Sequence, residues 1–237
     1  RRLTDDERYR LAVFVAVQRA RTFGELERIS GMISVLTDKM EAIGSTKEQA
    51  METLGLSSGG DTKDIFLRQL VQQVSHIDLL LKKDWYLLET RPERPFYVSD
   101  NPVVLKNSND FGPYGNLGLA VRGIQIYLPL SSTLMLAMYC PSIREQMVRQ
   151  KQHLQHLLAR APHLIPRHIR PFERLEHIRR YTDYLLMPLT PEHVTHYNSL
   201  QVEFAEQYVF CGEKDFSLVE RMLADSERYR TGPRFTF

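Results

Sequence analysis

The sequence predicts an α+β fold: a helical N-terminal portion packed on a small, mostly antiparallel sheet, with C-terminal helices completing the layer. Three features predict it. Apolar residues recur at helical spacing through the first 83 residues, they alternate over 124–139, and capped helical patterns return after 141. At 237 residues the chain is long enough for one sizeable core, so a single α+β domain over 1–237 is expected, with a helical part at 1–83 and a sheet-centred part at 84–237.

Thr4-Asp5-Asp6-Glu7 combines a capping threonine with first-turn acids, and Leu11, Phe14, Val15 and Val17 follow on a helical repeat, which predicts a helix to about Arg21. Leu26, Ile29, Ile33, Leu36 and Met40 continue the period in a second helix that stops at Gly44. "GLSSGG" at 55–60 is a loop, and Asp61-Thr62 opens a third helix with Phe66, Leu70, Val74, Ile77 and Leu81 on one stripe. From Asp84 the pattern changes. "WYLLET" and "PFYV" flank the turn-rich "RPER" and predict a hairpin in which Trp85 lies opposite Asp100 and Leu87 opposite Val98. The long loop "KNSNDFGPYGNLG" follows, and then a second hairpin, "GIQIYLPL" and "TLMLAMYC", with Ile124, Ile126 and Leu128 on one face and Pro129 at a strand end. Ser142 begins a helix that leads into a proline-punctuated basic stretch. Thr190-Pro191-Glu192 starts a helix that is expected to reach Tyr208. "YVFC" reads as a short strand that joins the sheet at 208–211, and "DFSLVERML" as a last helix.

The composition is 43% hydrophobic and 25% charged, which excludes a largely disordered chain. No run approaches the length of a membrane span, and the first seven residues lack the apolar segment of a signal peptide, so a cytoplasmic protein without a membrane partner is expected. The two cysteines, Cys140 and Cys211, each follow a strand-like apolar run, where a thiol is expected as a small buried hydrophobe, reduced and unbonded. The formal charge of +2 is unevenly spread. Residues 149–180 hold eight Lys or Arg against two Glu, a local +6 that leaves −4 elsewhere, and seven of the eight histidines fall between His153 and His196.

Two stretches are candidates for function. In "PFYVSDNP", Ser99 and Asp100 can accept hydrogen bonds from backbone N–H groups, and Asn101 before Pro102 is biased toward extended geometry, which accounts for the motif as strand-end chemistry. The functional alternative makes Asp100 a general base or metal-binding carboxylate, with Ser99 and Asn101 as ligand-binding neighbours and Asn198 as a positioning amide aimed at the same pocket. Asn198 shares a helix side with Gln201, and both can instead simply bond nearby backbone. The basic stretch offers Arg167, Arg170 and Arg174 for a phosphate-bearing ligand or nucleic acid, with Phe172, Tyr181 and Tyr184 interspersed as possible stacking partners. Pairs such as His153 and His156 supply too few ligands for zinc, so no metal site is expected. The chain has no Gly-rich phosphate loop, nucleophile elbow or helix-borne zinc-protease pair, and no cofactor is indicated.

"PFYVSDNPVV", "GIQIYLPLSSTLMLAMY" and "YNSLQVEFAEQYVF", in that order after a helix ending "QRART", resemble the bacterial and fungal family known as domain of unknown function 4238. The likeness covers almost the whole chain. It implies an α+β fold and carries no established activity. Family members place a His-aromatic-Val-Pro segment before the first helix, and this sequence lacks one, so a site needing that histidine is expected to be incomplete here. Two functional expectations therefore stand together. One is a binding or interaction module for a phosphate-bearing ligand or nucleic acid at 149–180, and the other is a hydrolase-like, nuclease-like enzyme using Asp100 with Asn198.

Overall fold

The computed structural model describes residues 3–53, 66–68, 70–71, 76–109, 117–166 and 169–230. Thr4 starts α1 (Asp5–Ala20) with a full capping box: its hydroxyl accepts from the Glu7 N–H at 3.2 Å while the Glu7 carboxylate accepts from the Thr4 N–H at 2.8 Å. Thr22 caps α2 (Phe23–Ala42), which ends just before Gly44, where a φ of +96° suits a residue without a Cβ. Short helices α3 (Lys47–Thr53) and α4 (Ile77–Leu81) follow. The "GLSSGG" loop and much of the third predicted helix lie outside the described residues, and α4 forms the last turn of that stripe.

The main sheet contains β1 (Asp84–Glu89), β3 (Val104–Lys106), β4 (Gln125–Pro129), β5 (Leu134–Tyr139) and β6 (Met187–Pro188), in the order β3-β4-β5-β1-β6. All neighbours are antiparallel except β1 and β6, which run parallel. The β4–β5 hairpin forms as predicted, and Pro129 ends β4 beyond the last rung shared with β3, where no ladder bond is lost.

The first predicted hairpin does not form. β1 pairs with β5, setting Trp85 opposite Met138 and Leu87 opposite Leu136. Pro92 and Pro95 prevent a continuous ladder here, and the chain instead leaves β1 along the 131–133 turn, with Thr90 donating to the Thr133 carbonyl at 3.0 Å and Phe96 to the Ser132 carbonyl at 2.7 Å. β2 (Val98–Ser99) pairs with β7 (Val209–Phe210) in a separate two-stranded sheet, so residues 208–211 do not join the main sheet as expected.

Strand alternation gives the sheet two buried faces. On one, Ile124, Ile126, Leu128, Leu136 and Met138 meet Ala12, Val15 and Ala16 of α1 and Ile77 and Leu80 of α4. On the other, Tyr86, Leu88, Tyr127, Met135 and Tyr139 meet the C-terminal helices, which include α5 (Pro141–Arg160), α6 (Pro171–Thr182) and α7 (Pro191–Glu203). Leu88, Met135 and Ala137 are fully buried, and each large apolar side chain removed from water in this way contributes about 1.5–3 kcal/mol. Helix α8 (Ser217–Asp225) packs on α7. The fold is α+β, with eight helices among the described residues and the sheet between N-terminal and C-terminal helical layers.

Candidate functional site

The "SDNP" segment is held by two side-chain amides one turn apart on α7. Asn198 Oδ1 accepts from the Tyr97 N–H at 2.9 Å and its Nδ2 donates to the Pro95 carbonyl at 3.0 Å. Gln201 Oε1 accepts from the Ser99 N–H at 2.9 Å and from the Ser99 hydroxyl at 3.0 Å, while its Nε2 donates to the Pro102 carbonyl at 3.1 Å. Residues 95–102 therefore run along a helix whose amides act as a strand edge. Both amides are buried, Gln201 to 1% exposure, and every polar atom of the pair has a backbone partner.

Asp100 looks the other way. Its Oδ1 accepts from the Glu206 N–H at 2.9 Å, and its Oδ2 from the N–H groups of Gln207 and Tyr208 at 2.8 and 3.2 Å. This explains why α7 stops at Glu203 rather than near Tyr208: the next N–H groups turn out of the helix onto a carboxylate. The Asn101 carbonyl lies 2.9 Å from the Ser99 hydroxyl, whose single hydrogen is shared between this carbonyl and Gln201 Oε1. Ser99 and Asp100 border a hollow of about 570 Å³ with Phe14, Arg21, Leu130 and Phe210, but Asn198 does not line it. Asp100 and Asn198 thus serve different backbone segments and do not meet.

The basic stretch folds differently from a continuous charged ribbon. α5 runs to Arg160, a 3₁₀ turn follows at Pro162–Leu164, and Pro171 begins α6 at a position where its missing N–H costs nothing. Helices α5 and α6 pack side by side and, with the start of α7, enclose an open cleft of about 680 Å³. Buried Leu154 and Ile178 line it together with Arg170, Arg174, His153, His177 and His193 and one carboxylate, Glu173. Arg167 lies outside the described residues.

The guanidinium of Arg174 donates to Gln150 Oε1 at 3.1 Å, bridging α6 to α5 across the cleft, and that of Arg170 meets the Glu173 carboxylate at 3.1 Å. The Arg170–Glu173 pair is largely solvated, so it holds Arg170 weakly. His177 stacks edge-on against Tyr181 at 5.2 Å. Burial lowers the pKa of this imidazole, and the nearby Arg174, His193 and Arg180 lower it further. A bound anion opposes the influence of those cations. Arg179 and Arg180 are occupied elsewhere with Glu176, and Arg179 also with Asp183.

The aromatic residues of the stretch divide. Phe172 is exposed, but Tyr181 turns into a tyrosine cluster with Tyr86, Tyr139 and Tyr197, and Tyr184 stacks on Tyr86 at 5.5 Å. Charge clustering in the sequence singled out Arg170 and Arg174, which both line this cleft. It did not identify Gln150, His153, His177 and His193 as their neighbours, because that depends on how α5, α6 and α7 pack. Among the described residues no group of His, Cys, Asp or Glu is arranged to hold a metal ion.

The layered sheet, the amide clasp and the basic cleft define an α+β protein whose polar chemistry gathers on its C-terminal helices. The chain belongs to the family described as Protein of unknown function (DUF4238), whose family model matches residues 1–215. No curated protein and no solved structure matches the chain. No helix among the described residues is long and apolar enough to cross a membrane.

Proposed function

We propose that the protein is a binding module for a phosphate-bearing ligand, taken up in the cleft between α5, α6 and α7. The observation that carries this reading is the convergence of Arg170, Arg174, His153, His177 and His193 on one concavity, where a single carboxylate, Glu173, stands against the two arginines. Arginine offers a planar donor fork that matches phosphate oxygens, and imidazoles add donors whose charge responds to the ligand. The cleft volume, about 680 Å³, falls in the range of small-molecule sites. A nucleotide or a comparable phosphorylated metabolite fits that size better than a nucleic-acid strand, since Tyr181 is packed inward instead of offering a stacking surface. The unbonded cysteines are compatible with a cytoplasmic setting, where such ligands are abundant.

The nuclease-like alternative has no separate observation in its favour, because Asp100 and Asn198 are both engaged with backbone and lie apart. Thermal melts with added pyrophosphate, a nucleoside triphosphate and a single-stranded oligonucleotide test the proposal. Stabilisation by the first two, lost in a combined Arg170→Ala and Arg174→Ala variant, is the expected result. Stabilisation by the oligonucleotide alone, with a steep salt dependence, would replace the small ligand with nucleic acid.

A further inference from the structure

Phe14, Gln18 and Arg21 follow one another at helical spacing and so share one face of α1, with Arg21 at its C-cap. That face forms part of the wall of the hollow of about 570 Å³ beside the "SDNP" segment. Val98 and Pro102, Leu130 at the end of β4, and Phe210 on β7 supply most of the rest. Backbone bonds hold these walls in place: the Leu130 N–H donates to the Leu134 carbonyl at 2.8 Å, and Val98 pairs with Phe210 across the small sheet. Three large apolar side chains at the hollow remain open to water, Phe14, Leu130 and Phe210 being 48, 42 and 53% exposed. They come from elements far apart in the sequence, and exposed apolar groups gathered around a concavity are what a bound apolar body covers.

The polar groups of the hollow divide into those in use and those free. The Thr22 hydroxyl accepts from the Glu25 N–H at 3.3 Å, and the Ser99 hydroxyl is shared between Gln201 and the Asn101 carbonyl. Asp100, the one carboxylate in the lining, accepts from three backbone N–H groups. Among the described residues the Gln18 amide and the Arg21 guanidinium make no hydrogen bond or ion pair, and Arg21 is the one cation in the lining. The free donors therefore lie toward one end of a helical stripe whose other end is the Phe14 ring. Seven residues of helix separate Phe14 from Arg21, roughly 10 Å along the axis.

We propose that this hollow binds a small apolar monocarboxylate, its carboxylate held by Arg21 and Gln18 and its hydrocarbon or aryl body laid over Phe14, Leu130 and Phe210. A guanidinium offers a carboxylate two parallel N–H groups, and the Gln18 amide adds a further donor from the same helix face. The apolar body removes from water side chains that the fold leaves exposed.

The charge balance of the lining sets the ligand class. One cation stands with one carboxylate, so a single negative charge is accommodated, while a phosphate or a dicarboxylate meets the repulsion of Asp100 with no second cation to offset it. The basic cleft between α5, α6 and α7 has the opposite character, and the two concavities share no residue.

Isothermal titration of the native protein with octanoate tests the proposal, with octanol and octylamine as neutral and cationic analogues of equal chain length. Saturable one-site binding of octanoate is expected, with octanol about tenfold weaker and octylamine weaker still. Arg21→Gln should lower octanoate affinity about tenfold and leave octanol unchanged, whereas Phe14→Ala should weaken both. Circular dichroism establishes that each variant is folded. Gln18→Glu, which sets a carboxylate beside the head group, should weaken octanoate alone and carries the test if Arg21→Gln does not fold. The Arg170→Ala and Arg174→Ala double variant should bind octanoate as the wild type does. Four results would overturn the proposal: no octanoate binding at millimolar concentration, equal affinity for octanoate and octanol, octanoate affinity unchanged in folded Arg21→Gln or Gln18→Glu, and octanoate binding lost in the cleft double variant.

Discussion

Asp100 and Tyr208 hold each other from both sides: the Asp100 N–H donates to the Tyr208 carbonyl at 3.1 Å, and the Tyr208 N–H donates back to Asp100 Oδ2 at 3.2 Å. With the Glu206 and Gln207 N–H groups on the same carboxylate, one side chain both ends α7 and starts the β2–β7 pairing.

Because both Asp100 oxygens accept, Asp100→Asn is not a silent replacement. Whichever way the amide turns, its NH₂ faces a backbone N–H. Asp100→Asn and Asp100→Ala are each expected to cost about 1–2 kcal/mol in urea unfolding, the range for losing a capping side chain. Ligand affinity at the basic cleft should be unchanged in the folded variants. An Asn variant as stable as the wild type would show that the three N–H contacts contribute little.

The amide clasp is expected to be more sensitive, since its partners are buried. Gln201→Leu keeps the volume but strands the Ser99 N–H and the Pro102 carbonyl, at about 1–3 kcal/mol for each buried group left unpaired. Asn198→Asp still accepts from Tyr97 but turns a carboxylate oxygen toward the Pro95 carbonyl, and should destabilise the protein at neutral pH. Denaturation midpoints check both, and wild-type stability in Gln201→Leu would contradict the assigned role.

What the sequence disclosed follows the range of each interaction. Thr4, Thr190 and Pro191 act on neighbours within one turn, so the helix starts could be read directly, as could the β4–β5 hairpin with its tight turn. The pairing of β1 with β5, the short β6 and the separation of β2 and β7 from the main sheet depend on partners tens of residues away. The same limit applies to sites. "SDNP" attracted attention as local chemistry, but its partners are Asn198, Gln201 and the 206–208 turn, each about a hundred residues distant. Arg170 and Arg174 were visible as part of a charge cluster, whereas the cleft they line exists only once α5 and α6 pack.

The tyrosine cluster predicts the alkaline limit of stability. Burial, with the neighbouring Tyr197, raises the Tyr181 phenol to about 12, and burial also raises Tyr86, Tyr127, Tyr139 and Tyr197. In the unfolded chain these phenols ionise near pH 10. Below that pH both states hold the protons and stability is unaffected. Between about 10 and 12 the unfolded state releases protons that the folded state retains, so stability falls as pH rises. Phenolate absorbance and far-ultraviolet circular dichroism should therefore change together above pH 10. Full ionisation of the cluster with the helices intact would contradict the packing described.

The most direct test of the proposed function is isothermal titration of the native protein with inorganic pyrophosphate, in parallel with the folded Arg170→Ala and Arg174→Ala double variant. Both substitutions remove cleft cations without touching the sheet or the amide clasp. The account predicts saturable one-site binding to the wild type, weakened at least about tenfold in the variant, because charge-assisted hydrogen bonds are worth roughly 1.5–3 kcal/mol each. No heat of binding to the wild type, or equal affinity in the two proteins, would contradict the assignment of the cleft as a phosphate site.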